Sequence, residues 1–161
     1  MLYFKLLGTI LLTAVGGYGA WLLGRRDSMR IDRVEAWIAL LRLTGNQIDC
    51  FSLPVPEILA RCDGNLLRRL GWSGDAPPAD FRALVRSDAS EGLTMEGKRI
   101  AVGFSEEIGK GYRQEQLRAC DYSIGLFSAE RDRLLSQLPQ KRKRDITLCM
   151  AAALGTVILL L

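Results

Sequence analysis

Two long apolar runs, one at each end of the chain, constrain this sequence more than any other feature. Residues 2–23 read LYFKLLGTILLTAVGGYGAWLL and end on Gly24, Arg25 and Arg26. Residues 146–161 read ITLCMAAALGTVILLL and follow Lys141, Arg142, Lys143 and Arg144. A helix needs about 20 mostly apolar residues to cross a hydrocarbon layer of about 30 Å. The first run meets that length, and its one charge, Lys5, is near enough to the end to reach the interface. The second run is 16 residues, or about 24 Å of helix, and spans only with local thinning or with help from the preceding turn. The competing reading of the second run is a buried core helix; that of the first is a cleaved signal peptide. The first run is too long for a signal peptide and is followed by arginines instead of a small-x-small cleavage site.

The expected organisation is an N-terminal transmembrane helix over residues 2–24, a helical cytoplasmic domain over 25–145 and a C-terminal transmembrane helix over 146–161. Charge placement sets the expected side. The net charge of +4 is modest, but Arg25, Arg26, Arg30 and Arg33 follow the first run, and Lys141, Arg142, Lys143 and Arg144 precede the second. Basic residues beside spans mark the cytoplasmic face, and they also suit anionic headgroups. Within the runs, Gly16, Ala20 and Gly24 are spaced by four, as are Ala151 and Gly155. Small residues at that spacing let helices approach closely in lipid; ordinary Gly and Ala content is the alternative.

Between the runs the pattern is helical, with no convincing strand, so the expected fold is all-α: a small antiparallel bundle between two anchors. Ile31, Val34, Ala36, Trp37, Ile38, Leu41 and Ile48 recur mainly at helical spacing. Pro54 and Pro56 end that helix and Pro56 opens another. Short helices are expected around Leu66–Leu70 and Phe81–Val85, then one carrying Met95, Ile100, Val102, Phe104 and Ile108. A long helix over about 113–138 has a stripe of Leu117, Cys120, Ile124, Phe127, Leu134, Leu135 and Leu138, close to heptad spacing. Pro139 is expected to kink or briefly break it before the basic cluster.

No catalytic set emerges. The chain has no histidine, which removes imidazole acid–base chemistry and His-ligated zinc. Cys50, Cys62, Cys120 and Cys149 form no C-x-x-C pair and read as reduced, buried thiols; a Cys50–Cys62 disulfide is the alternative under inverted topology. Residues 103–111 (GFSEEIGKG) superficially suggest a phosphate loop. They have Phe104 where the first glycine is required and Gly111 where Ser or Thr must follow the lysine, so a helix end and turn is the better reading. Glu106 and Glu107 are adjacent and diverge on a helix. An enzyme working at headgroup level would have to draw on Asp27, Asp32 and Asp145. Neither a cofactor, a metal, a small-molecule substrate nor nucleic acid is expected. Trp72, Phe81 and residues 75–90 are the candidate partner surface, with packing of Trp72 and Phe81 into the core as the alternative.

Three stretches resemble the stage III sporulation protein AB family: residues 4–12 (FKLLGTILL), the helix-to-proline junction at 46–59 (NQIDCFSLPVPEIL), and the closing third, where Phe104 to Gly111 and Arg113-Gln114-Glu115-Gln116 precede a long charged helix and an apolar tail. The resemblance covers the whole length and the two-anchor layout. It implies a subunit of the membrane complex linking mother cell to forespore in endospore-forming bacteria. The family's helical domain is similar to the cytoplasmic domains of the type II secretion platform protein, which docks an ATPase and has no active site. The expected function is therefore a non-enzymatic scaffold in the mother-cell membrane, its partners being lipids, other channel subunits and the ATPase. An anionic-lipid-binding module is the alternative.

Overall fold

The computed structural model describes residues 2–87 and 92–160. Side chains are described for 27–87 and 92–139, and for Arg144, Thr147, Leu148 and Ala151. Among the described residues the chain is all-α, with six helices: α1 (Leu2–Phe51), α2 (Val55–Ala60), α3 (Gly64–Leu70), α4 (Phe81–Arg86), α5 (Met95–Glu107) and α6 (Arg113–Leu160). The chain divides into two compact units. One gathers the two ends, Met1–Ser28 and Leu134–Leu161; the other is the continuous stretch Met29–Arg133. Among the described residues no helix is long and apolar enough to cross a membrane. The two apolar runs of the sequence have helical backbone, but nearly all their side chains lie outside the described residues.

In Met29–Arg133 the core forms where the sequence spacing demands it. α1 buries Val34, Trp37, Ile38, Leu41 and Ile48, joined by Leu40 and Thr44. These positions fall three or four apart, the period that keeps side chains on one helix face. Thr44 is tolerated there because its Oγ1 donates to Leu40 O at 2.8 Å, which meets the requirement that a buried hydroxyl find a partner. Trp37 stacks on Phe127 of α6, centroids 5.8 Å apart and planes 14° from parallel. α6 presents Cys120, Ser123, Phe127 and Glu130 to the interior, an alternation of three and four.

That seam differs from the expected stripe. Ser123 and Glu130 are buried in it, whereas Ile124 is half-buried and Leu135 is 45% exposed. Helix geometry decides the face, and residue polarity follows only where no partner is at hand. On α5, Ile100, Ala101 and Phe104 are buried, as is Ile108 at its end, while Met95 is 85% and Val102 42% exposed. Of the kink or brief break expected at Pro139, the break is absent, since α6 is helical from Arg113 to Leu160 with Pro139 inside it. A proline deletes one N–H, and the intact hydrogen bonds on either side carry the helix past it.

The short helices begin on side-chain caps or a proline. Asp63 accepts from Asn65 N at 3.0 Å ahead of α3, Asp80 from Ala83 N at 2.6 Å ahead of α4, and Thr94 from Gly97 N at 3.0 Å ahead of α5. Pro54 and Pro56 open α2 without a side-chain cap. Each cap satisfies one of the backbone donors that a helix start leaves unpaired. Gly71 closes α3 at φ 90°, a left-handed conformation that glycine adopts without penalty.

Candidate docking surface

The loop after α3 and the start of α4 separate the two aromatic residues that the sequence pairs as a partner surface. Trp72 is half-buried and its Nε1 donates to Ala76 O at 2.8 Å, pinning the ring across the turn. Gly74 is required beneath it: a Cβ there would lie 2.8 Å from the indole carbons. Phe81 is different. It is 1% exposed and meets Phe104 edge-on, centroids 4.9 Å apart at 90°, a favourable aromatic geometry. Phe81 is therefore packed into the α4–α5 core, the alternative that the sequence left open for it. Within residues 75–90, positions 88–90 lie outside the described residues.

The basic flanks also separate. Arg30 and Arg144 are exposed. Arg33 is half-buried and threads between Gly71 and Gly92. A Cβ on Gly71 would lie 2.8 Å from Arg33 Nη2, and one on Gly92 2.4 Å from Arg33 Cδ. Arg33 is thus held by its own fold and is not a free cation beside a membrane. The side chains of Arg25, Arg26, Lys141, Arg142 and Lys143 lie outside the described residues, as do Gly16, Ala20, Gly24 and Gly155; Ala151 is exposed.

Of the three acids an enzyme would need, Asp32 takes two donors from Arg69, Nη2 at 2.6 Å and Nε at 3.1 Å. The pairing raises the Arg69 pKa further. Asp27 is half-buried, and the side chain of Asp145 lies outside the described residues. The GFSEEIGKG stretch ends α5 and turns, with Gly109 and Gly111 at φ 80° and 82° and Lys110 N donating to Glu107 O at 3.2 Å. Among the described residues no cluster of Cys, Asp and Glu is placed to hold a metal. Cys50, Cys62 and Cys120 are free thiols. Burial, reinforced by Asp121, pushes Cys120 up to about 11; burial and then Asp63 raise Cys62.

Two features escaped the sequence reading. The first is a polar clamp inside the core. Thr94 Oγ1, already capping α5, donates to Glu130 Oε1 at 2.6 Å, and Arg133 donates to both carboxylate oxygens at 2.8 Å. Glu130 is 4% exposed. Burial alone would raise its pKa, but the hydrogen bonds from Arg133 and Thr94 outweigh it and hold the carboxyl below its usual range. The motif Thr94-Met95-Glu96-Gly97 carries the only advance signal, a cap ahead of a helix. The second feature is an open groove of about 420 Å³ between α4 and α5, lined by Arg82, Val85, Arg86, Val102, Glu106 and Lys110 among others.

No protein-family model, curated protein or solved structure matches this chain.

Proposed function

We propose that this protein is a non-enzymatic scaffold subunit of the sporulation channel complex between mother cell and forespore, anchored in the mother-cell membrane by a helix at each end. The reading takes the described helical body as a small antiparallel bundle held on the cytoplasmic side and docking an ATPase, as the type II secretion platform protein does. One observation carries it: the chain's two ends, which bear both apolar runs together with Arg25, Arg26, Lys141, Arg142, Lys143 and Arg144, fall into one compact unit, and Met29–Arg133 forms the other. A tether built from two termini and a separate body suits a fixed machine part better than a diffusing catalyst.

The test is removal of residues 146–161 in an endospore-forming host. Under this reading the shortened protein loses resistance to alkaline extraction from membranes and sporulation falls. A shortened protein that stays wholly in the membrane and still completes spores overturns the double tether. Topology is read separately with Ser73→Cys, an exposed loop position. The thiol should resist impermeant reagents in intact cells, and labelling from outside would overturn the cytoplasmic placement.

A further inference from the structure

α4 carries Arg82 and Arg86 one turn apart with Val85 between them, and α5 faces them with Val102 and Glu106. Lys110, just beyond the end of α5, completes the rim. Among the described residues the side chains of Arg82, Arg86 and Lys110 have no hydrogen-bond or ion-pair partner. Arg61, Arg69, Arg99, Arg113, Arg131 and Arg133 are each paired to a carboxylate. Three cations without a partner among the described residues thus share the groove with Glu106 around a floor that includes Val85 and the exposed Val102, while Lys110 also borders Glu107 and Glu115. Concentrated like charge over an apolar strip is unfavourable for an isolated surface and complementary to an acidic amphipathic one.

We propose that this groove docks an acidic amphipathic segment of a partner protein, with carboxylates about one helical turn apart meeting Arg82 and Arg86 and an aliphatic side chain seated on Val85 and Val102. Guanidinium groups spaced by four residues match carboxylates at the same spacing on a partner helix. The helix-in-groove mode uses just such a combination of apolar anchor and charged rim. Phosphate or a lipid headgroup satisfies the rim and leaves the valines wet. This deepens the scaffold reading by giving the partner a chemistry, and it rests on that reading only in requiring a partner at all. The groove lies wholly within Met29–Arg133, so its test is independent of the anchors.

The experiment uses the full chain in uncharged detergent against a displayed library of random dodecapeptides. Enrichment should favour Glu and Asp interleaved with Leu, Ile or Val. Binding of the enriched peptides should weaken with salt, drop about tenfold or more in R82E/R86E, and drop less in R82Q/R86Q. Both arginines are exposed, and unchanged helical content by circular dichroism shows that the variants are folded. An enriched pool without acidic bias overturns the proposal, as do acidic peptides that bind R82E/R86E as well as the parent. Two results would assign the groove elsewhere and overturn it equally. One is phosphatidylglycerol vesicles or inorganic phosphate whose binding depends on Arg82 and Arg86 while that of the peptides does not. The other is self-association of the chain, seen by sedimentation, that R82E/R86E abolishes. Failure of the peptide screen with normal membrane retention sinks this inference alone; loss of the double tether leaves it standing.

Discussion

The middle of the two long helices and the run of short helices between them reach stability by different means. α1 and α6 meet through side chains far apart in sequence: Trp37 on Phe127, Arg113 on Asp49, and a heptad seam with a buried carboxylate in it. The run from α2 to α4 consists of helices of six or seven residues, too short to persist alone. α3 and α4 start on aspartate caps, α2 on prolines, and each helix adds two buried side chains, such as Leu67 and Leu70 or Phe81 and Leu84. Distant packing makes the long pair a cooperative unit, whereas local devices leave the short helices able to open one at a time.

Three measurements separate these regimes. The largest effect is expected from Phe127→Ala, which empties the stack under Trp37 and should cost about 3–5 kcal/mol in denaturant unfolding, with every probe shifting together. A loss confined to one helix would show that the long pair is not the cooperative unit. Next is Glu130→Ala, which strips the partners from Thr94 and Arg133 and should cost about 1–3 kcal/mol, with Glu130→Gln intermediate. The pH dependence has a definite sign. The folded pKa of Glu130 is depressed, so its stabilisation is complete above the unfolded carboxylate value of about 4.3. It is lost as pH falls through the lower folded value. The parent should thus lose stability in acid more steeply than Glu130→Gln, and parallel acid profiles would show that the clamp is not a pH-dependent contributor. The smallest effect is Asp80→Ala, about 1 kcal/mol. It should appear as faster hydrogen exchange in α4 with the long helices unchanged. Equal acceleration in α1 and α6 would erase the distinction between the regions.

Much of the secondary structure was legible because punctuation is local. Pro54 and Pro56, Asp63, Asp80 and Thr94 act within three residues of where they stand, and the α1 stripe has its period written in apolar residues. The α6 seam was less legible. Polarity argues against Ser123 and Glu130, and only the third dimension brings Thr94 and Arg133 to the carboxylate. Phe81 and Trp72 look alike in a sequence, yet one is seated on Phe104 and the other is draped over its own turn. The groove was hidden for the opposite reason. Nothing in the spacing of Arg82, Arg86 and Lys110 singles them out, and only the structure lines them along one groove without a partner among the described residues.

Pro139, held inside α6, has a consequence for how far that helix can sink. Proline has no N–H to offer the carbonyl four residues back, which belongs to Leu135. A carbonyl without its helical donor is tolerable where solvent touches it and costly in hydrocarbon. Leu135 is 45% exposed, so solvent has access there. If α6 continues into a bilayer, that carbonyl favours a waterline on the C-terminal side of Leu135 unless a neighbouring donor satisfies it, which makes the proline a marker of depth.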